Sequence, residues 1–228
     1  MSLATPNQAP IFALDPFLNR KDGATELYLI RHGDAFPDND DDPLEPGTTY
    51  ENRPLSKLGR EQARKLAAHF NATKFDAIYS SPLIRCRQTA TPLAELQSLE
   101  VQIEPDIREV ELHRGETPPV DAKAMREQLD QVVRLAAQAG RWGVIPNAET
   151  GEVFRQRVVP AIDQIANLHP GERVAIVAHG GTINMYVANL LGMEREFFFP
   201  VVNTSVSITR VKGNSRVLVT LNDTCHLR

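Results

Sequence analysis

The sequence predicts an α/β fold of three layers, an αβα sandwich in which helices cover both faces of a mostly parallel sheet. Apolar runs of strand length alternate with amphipathic helical patterns over most of the 228 residues. Two of these runs, at residues 27–30 and 174–178, lead directly into a histidine followed by glycine. If the two strands are parallel neighbours, His32 and His179 leave the sheet at one edge, where such folds bind ligands.

The individual elements are predicted from apolar periodicity and from capping residues. Strands are expected at residues 27–30, 75–79, 101–104, 174–178, 205–209 and 216–221. Helices are expected at about 57–70, 83–96, 121–138, 150–168 and 182–191. Ser56 is the expected N-cap of the first helix, Pro92 is expected to kink the second, and Gly140 is expected to end the third.

Length and composition indicate a single domain over residues 1–228. It is expected to carry an N-terminal arm at 1–25, rich in proline and polar residues, and a helical insertion at about 110–147. Hydrophobic residues make up 42% and charged residues 24%, as in ordinary globular proteins. The net charge of -4 argues against a broad nucleic-acid-binding surface but allows a small cationic pocket.

Nothing in the sequence predicts a membrane or secretory protein. No apolar run approaches the length of a transmembrane helix, and residues 1–17 lack the pattern of a signal peptide. Cys86 and Cys225 stand outside zinc-binding spacings, and two free thiols fit a reducing compartment. We therefore expect a cytoplasmic protein without a membrane partner. The oligomeric state stays open, with a homodimer as one candidate.

Four stretches place reactive side chains just after predicted strands. Arg31-His32-Gly33 follows the first strand, and His179-Gly180-Gly181 follows the very apolar fourth strand. Arg85 lies in the first turn of the helix after the second strand, and Glu109 and Glu111 follow the third. A helix N-terminus presents free N–H groups, so an arginine there strengthens an anion-binding site.

These residue types together predict a phosphate pocket. Two arginines can hold phosphoryl oxygens by forked hydrogen bonds. One histidine can attack phosphorus, the second can stabilise charge on the transferring group, and a carboxylic acid can protonate the departing oxygen. Neither a metal ion nor another cofactor is required, because the arginines and an imidazolium neutralise the developing charge.

Four motifs occur in order along about residues 26–210. They are Leu29-Ile30-Arg31-His32-Gly33, then Pro54-Leu55-Ser56 with Gly59, Gln62 and Ala63, then Ser81-Pro82-Leu83-Ile84-Arg85 with Gln88-Thr89-Ala90, and finally Val177-Ala178-His179-Gly180-Gly181. In this combination the chain resembles the histidine phosphatase superfamily, in its phosphoglycerate mutase-like branch. The resemblance implies a phosphoglycerate mutase-like fold and a phosphohistidine intermediate.

The resemblance also implies a role for each matched residue. It implies His32 as the nucleophile. It implies that Arg31 and Arg85 clamp the phosphate and that His179 completes the pocket. Many members carry an asparagine near the phosphate, six residues after the nucleophile. Here Asp38 holds that position and Asn39 follows it, so either Asn39 or no residue is expected to take the role.

Backbone and carboxylate groups complete the expected site. Gly33 and Gly180 are expected to bind the substrate, and the resemblance implies a backbone donor at Gly180. It implies Glu109 as the proton donor, with Glu111 as a close competitor. Glu149 precedes a helix in a pattern similar to the family's Gly-Glu-Ser start, so it is expected to line or to orient the pocket.

Several chemically suggestive residues are assigned ordinary roles. Arg87 is expected to be a surface cation, and Cys86 a small core side chain rather than a thiol of low pKa. The acidic run at 38–45 begins with calcium-loop spacing but lacks the required glycine, so a solvated loop is favoured. The remaining histidines are expected at the surface, namely His69, His113, His169 and His226.

The expected function is metal-independent hydrolysis of small-molecule phosphomonoesters through phosphohistidine. One alternative is a phosphoglycerate mutase-type phosphoryl transfer, although the long segment typical of the glycolytic mutases is missing. Another is a non-catalytic binder of phospho-ligands, since folds can keep a pocket and lose its chemistry. Residues 34–54 and 110–147 are expected to shape the leaving-group side, and they contain no recognisable code for the substrate.

Overall fold

The computed structural model describes residues 20–36, 52–112 and 122–228. Its strands are β1 (Thr25–Arg31), β2 (Ala77–Ser80), β3 (Val101–Ile103), β4 (Arg173–Ala178), β5 (Val206–Lys212) and β6 (Ser215–Asp223). Its helices are α1 (Lys57–His69), α2 (Ile84–Gln97), α3 (Ala122–Ala139), α4 (Gly151–Leu168) and α5 (Gly180–Leu190). Short 3₁₀ turns include Pro105–Ile107 and Trp142–Val144.

The described strands form one sheet in the order β3-β2-β4-β1-β5-β6. The pairs β3-β2, β2-β4 and β4-β1 are parallel, whereas β5 and β6 add an antiparallel edge. In the β1-β4 pair, Arg31 lies opposite Ala178. The next residues along the two strands are His32 and His179, so the two histidines leave the sheet side by side. The prediction of parallel neighbours is confirmed.

Helices cover both faces of this sheet because side chains alternate along its strands. In β1, Leu27 and Leu29 belong to a core cluster shared with α4 and α5, while Tyr28 and Ile30 pack against α1 and α2. All four side chains are at most 8% exposed. This arrangement confirms the predicted three-layer fold.

Several boundaries differ from the predicted ones for local reasons. Helix α5 begins at Gly180, two residues earlier than expected, because glycine's low helix propensity hides the start of the helix. Strands β5 and β6 extend to a tight turn in which Gly213 has a φ of +55°. Helix α2 continues through Pro92 as one element. The expected cap is present, since the Ser56 hydroxyl accepts the Gly59 N–H at 3.0 Å.

The expected domain features fall partly within the described chain. The interval 110–147 contains α3 and the turn Trp142–Val144, whereas residues 1–19 of the expected N-terminal arm lie outside the described residues. Residues 20–25 form a 3₁₀ turn and the start of β1, so the first strand begins inside the interval assigned to the arm. Among the helices that the structure describes, none is both long and apolar enough to cross a membrane.

Candidate active site

His32 and His179 lie together at the carboxyl ends of β1 and β4. Their ring centroids are 5.2 Å apart, and the side chains are nearly inaccessible to solvent. Burial, together with the guanidinium groups of Arg85 and Arg31, lowers the pKa of each imidazole well below 6.5. Both rings are therefore neutral at neutral pH in the ligand-free site.

The hydrogen bond of His32 determines which of its ring nitrogens is reactive. Its Nδ1 lies 2.7 Å from the carbonyl oxygen of Gly33. A carbonyl oxygen only accepts hydrogen bonds, so Nδ1 carries the proton and donates it. In a neutral ring the lone pair then belongs to Nε2. The arrangement presents Nε2 as a nucleophile.

Gly33 supports His32 through both of its backbone groups. Its carbonyl orients the imidazole, and its N–H donates to the Thr89 hydroxyl at 3.0 Å. A Cβ at Gly33 would lie only 2.7 Å from the carbonyl oxygen of Gly59 in α1, a distance that side chains do not tolerate. The glycine of the Arg-His-Gly motif is therefore required by the close approach of α1. In this structure its N–H is engaged by Thr89.

Arg31 and Arg85 bring two guanidinium groups to the same place. One Arg31 N–H donates to the carbonyl oxygen of Val201 at 2.5 Å, while its Nε is buried and lacks a hydrogen-bond partner within the described residues. A buried donor without an acceptor destabilises the free site by about 1–3 kcal/mol. An anionic oxygen bound at Nε would remove that cost, so this end of the cavity favours an anion.

Arg85 also determines the tautomer of His179. Its Nη2 lies 3.2 Å from His179 Nδ1, and because guanidinium can only donate, Nδ1 accepts. The ring proton is then on Nε2, which donates to the Ser81 hydroxyl at 2.8 Å. A bound dianion would favour protonation of this ring, which would add a cationic donor beside the two guanidinium groups.

Glu109 reaches this site from the segment after β3. Its carboxylate accepts the N–H of Gly181, two residues after His179, at 3.1 Å. A Cβ at Gly181 would lie 2.3 Å from Glu109 Oε1, so glycine is needed for this approach. Glu111 lines the same cavity but is exposed, and Gly180 lines it beside Arg31. The contact with the helix that follows His179 distinguishes Glu109 from its competitor.

A buried ion pair that the sequence analysis did not identify holds the Glu109 segment in place. Arg157 of α4 pairs with Glu149 at 2.6 Å, and their side chains are 10% and 1% exposed. The Arg157 guanidinium also donates to carbonyl oxygens of this segment at 2.7, 2.7 and 2.9 Å, those of Asp106, Arg108 and Glu109. Glu149 in turn accepts the backbone N–H of Glu111 at 3.3 Å. Of the two expected roles for Glu149, orientation of the pocket matches these contacts.

We expect Arg157→Lys to disturb this segment. An ammonium cannot reproduce the planar fork, so the variant leaves several carbonyl oxygens and Glu149 poorly paired. The free energy of unfolding should fall by about 2–3 kcal/mol, and kcat should fall about tenfold or more because the Glu109 carboxylate loses its position. Chemical denaturation and steady-state kinetics measure the two effects. The matched control is Arg134→Lys on α3. The Arg134 side chain is exposed, so this variant should change neither quantity. Wild-type stability and kcat in R157K would contradict the role of Arg157 in positioning the Glu109 segment.

The buried neutral histidines predict a pH dependence of stability. Between pH 6.5 and the lower pKa of the folded rings, the unfolded chain protonates His32 and His179 while the folded chain does not, so the unfolded state binds more protons and stability falls as pH falls. Each group contributes about 1.4 kcal/mol per pH unit in that interval. The free energy of unfolding of the phosphate-free protein is to be measured by denaturation at several pH values. Its slope against pH should be smaller in His32→Gln than in wild type by about 1.4 kcal/mol per pH unit. An identical slope in wild type and variant would indicate that His32 is protonated when folded.

The structure also locates the residues that were assigned ordinary roles. Arg87 is exposed, as predicted. Cys86 is fully buried in the core between α2 and the sheet, where burial raises the pKa of its thiol to about 12, which confirms a packing role. His69 is exposed, but His169 is more buried than predicted because its Nε2 contacts the Tyr79 hydroxyl at 3.0 Å and its Nδ1 contacts Glu172.

Some expected features fall outside the part of the chain that the structure describes. They are Asn39, Asp38, His113 and the acidic run at 38–45.

His226 is half-buried, and its Nε2 lies 3.1 Å from the Thr204 hydroxyl. It therefore packs against the body of the protein instead of projecting into solvent.

One cavity of about 670 Å³ joins the site residues. His32, Arg31, Arg85, Glu109 and Gly180 all line it. The structure therefore brings together, around one space, the nucleophile candidate, both candidate phosphate-clamp arginines and the candidate proton donor. His179 lies directly behind, in contact with Arg85 and the His32 ring.

Comparison with known proteins agrees with this geometry. The family model of the histidine phosphatase superfamily (branch 1) matches residues 27–224. The chain belongs to this superfamily. The matched interval contains each motif residue of the site, from Arg31 and His32 to His179 and Gly180.

Individual relatives carry phosphatase and mutase names. Phosphoserine phosphatase 1 of Hydrogenobacter thermophilus is 28% identical over 207 residues, which cover 89% of this chain and 94% of that protein. The adenosylcobalamin/alpha-ribazole phosphatase of Escherichia coli is 28% identical over 176 residues, which cover 75% of this chain and 81% of that protein. The crystal structure of a phosphoglycerate mutase from Bacillus anthracis has a TM-score of 0.70 at 21% identity. The match covers 90% of this chain and 96% of that one, and it supports the fold.

Proposed function

We propose that this superfamily member is a metal-independent phosphatase that hydrolyses phosphomonoesters through a phosphohistidine on His32. The observation that carries the proposal is the fixed tautomer of His32. Its Nδ1 proton is held by the Gly33 carbonyl, so a neutral ring directs the Nε2 lone pair toward an anion site. The names of the phosphatase relatives support the same reaction class.

In the first step, His32 Nε2 attacks phosphorus in line with the ester oxygen. An N–P bond forms, the P–O bond to the leaving group breaks, and Glu109 donates a proton to that oxygen. Arg31 and Arg85 hold the phosphoryl oxygens throughout, and His179 stabilises the charge that develops on them. The buried donor on Arg31 Nε gains its missing acceptor in this complex.

In the second step, water replaces the imidazole. Glu109, now a carboxylate, accepts a proton from water as the water oxygen attacks phosphorus, the N–P bond breaks, and His32 returns to its neutral form. The same carboxyl group thus acts first as an acid and then as a base. Inorganic phosphate and an alcohol are the products.

The proposal extends to the setting of the reaction. The substrate is a small-molecule phosphomonoester, and the whole chain acts as one catalytic domain, with the interval 110–147 as an insertion beside the site. Two free cysteines, one buried and one exposed, are compatible with a cytoplasmic location. A homodimer stays a prediction.

The test is release of phosphate from a panel of phosphomonoesters by the wild-type protein in excess EDTA. We expect turnover to persist in the chelator at its full rate, because arginines supply the positive charge. Activity that is lost in EDTA and restored by a divalent cation would contradict the proposal. Turnover of no ester at all would favour a mutase or a phospho-ligand binder instead.

A further inference from the structure

The cavity that contains the proposed phosphate site is lined by two chemically different groups of side chains. The charged group is described above. The apolar group comes from the 110–147 interval and from the segment after α5, chiefly Leu129, Val132, Trp142, Phe197, Phe198 and Phe199. It adjoins the charged group, since a Cβ at Gly181 would lie 3.0 Å from Trp142 Cζ2 and 2.3 Å from Glu109 Oε1. At about 670 Å³, the cavity falls within the ~300–1,000 Å³ typical of pockets for drug-sized ligands, so a phosphoryl group alone would leave most of it empty.

The first apolar wall is one face of α3. Leu129, Val132 and Val133 are spaced by three and four residues, so they lie side by side on the helix and all line the cavity. Leu135, on the same helix, does not line it and is 41% exposed. The cavity-facing side of α3 is thus apolar at these three positions, with Gln128 as a polar neighbour in the lining.

The second apolar wall is held rigidly by a buried asparagine. Asn184 of α5 is inaccessible to solvent, and its Oδ1 accepts the backbone N–H groups of Phe198 and Phe199 at 3.0 and 3.3 Å. Its Nδ2 donates to the carbonyl oxygen of Phe199 at 3.0 Å. The ring of Phe197 packs edge-on against Trp142 at a centroid distance of 5.2 Å. The wall is thus formed before any ligand arrives.

Three further cations line the cavity, and each already interacts with a backbone oxygen. Arg53 donates to the carbonyl oxygen of Ala35 at 2.5 Å. Arg195 donates to the carbonyl oxygen of Ala137 at 2.9 Å, and Arg108 donates to that of Pro105 at 3.3 Å. Each of these guanidinium groups therefore has a backbone acceptor, whereas the buried Nε of Arg31 has none among the described residues.

We infer that these apolar walls bind the leaving group, and that the preferred substrates are phosphomonoesters of apolar alcohols. The inference rests on the proposed phosphatase function, because it requires the phosphoryl group at His32. Burial of each methylene against these walls removes apolar surface from water, which favours longer and less polar leaving groups. A small zwitterionic leaving group such as serine would gain little from them.

The test compares ethyl, butyl, hexyl and octyl phosphate below their micelle concentrations. These esters have leaving groups of nearly equal basicity, so differences in kcat/KM report burial and not intrinsic reactivity. We expect kcat/KM to rise about threefold for each buried methylene until the cavity is filled. Equal kcat/KM for ethyl and octyl phosphate would overturn the inference.

Two variants test whether the preference for long alkyl chains arises at the α3 wall. Leu129→Ala should lower the ratio of kcat/KM for octyl over ethyl phosphate about tenfold, because it removes part of the α3 wall. The matched control is Leu135→Ala, the same substitution on the same helix outside the cavity, which should leave the ratio at the wild-type value. An unchanged ratio in L129A, or an equal change in L135A, would place the preference elsewhere.

Binding of alkylphosphonates, measured by calorimetry, separates this inference from the proposed function. These compounds cannot be hydrolysed, so their affinity reports the cavity even if the protein is not a phosphatase. We expect octylphosphonate to bind at least tenfold more tightly than ethylphosphonate in wild type, and less so in L129A. Absence of turnover with that affinity trend intact would overturn the phosphatase alone, whereas equal affinities would overturn the apolar leaving-group site.

Discussion

His32→Ala should lower kcat at least about 10⁴-fold on every phosphomonoester that the wild-type protein hydrolyses. The variant has no Nε2 to form the N–P bond, and water alone would have to attack the ester within the remaining pocket. Substrate binding should persist, because Arg31 and Arg85 are unchanged and each retains its guanidinium group. Steady-state kinetics and phosphate binding by calorimetry measure the two consequences separately.

Arg87→Ala is the control for this variant. Arg87 lies two residues from Arg85 on the same helix, but its side chain is exposed and is not part of the cavity lining. We expect its kcat to stay within twofold of wild type. Comparable losses in H32A and R87A would mean that general damage to this end of the sheet, and not loss of a nucleophile, explains the effect.

Glu109→Gln should lower kcat/KM about 10²–10⁴-fold for alkyl phosphates, whose leaving oxygens need a proton. The loss should be far smaller for 4-nitrophenyl phosphate, whose phenolate leaves without protonation. For a phosphatase of this type kcat/KM reports the first chemical step, so the two substrates isolate the acid role of the carboxyl group. Glutamine keeps the size of the side chain and an oxygen that can accept the Gly181 N–H.

Glu111→Gln distinguishes the two carboxylates that line the cavity. Glu111 is exposed, whereas Glu109 bonds to the helix that begins beside His179. We expect E111Q to retain most of the wild-type kcat/KM on both kinds of ester. If E111Q instead lost alkyl phosphate hydrolysis selectively while E109Q did not, the proton donor would be Glu111.

The parts of the site that the sequence predicted are those that depend on strand ends. His32 and His179 each follow a buried strand, and parallel pairing of those strands is enough to bring them together. Arg85 could be placed in the same way, since it opens the helix after β2. Glu109 and Glu111 were placed after the third predicted strand in the same way, and the choice of Glu109 as proton donor came from family resemblance. The structure adds the contact of Glu109 with Gly181.

The supporting contacts could not be predicted because they join residues that are distant in sequence. Arg157 contacts carbonyl oxygens 48 to 51 residues before it, and it looks like any other arginine on an amphipathic helix. Asn184 accepts the backbone N–H groups of Phe198 and Phe199, which lie 14 and 15 residues after it. The two apolar walls of the cavity come from α3 and from residues 197–199, which are distant in sequence. Only the folded chain shows that both line one space.

The central claim is that the reaction passes through a phosphoryl group on His32. The most direct measurement is to trap that group in E109Q during turnover of 4-nitrophenyl phosphate. In this variant the first step needs no acid, while the second lacks its base, so phosphoenzyme should accumulate. Quenching in alkali, which preserves N–P bonds, and peptide mass spectrometry should then place the phosphoryl group on His32. A phosphoryl group on another residue, or none during observed turnover, would contradict the account.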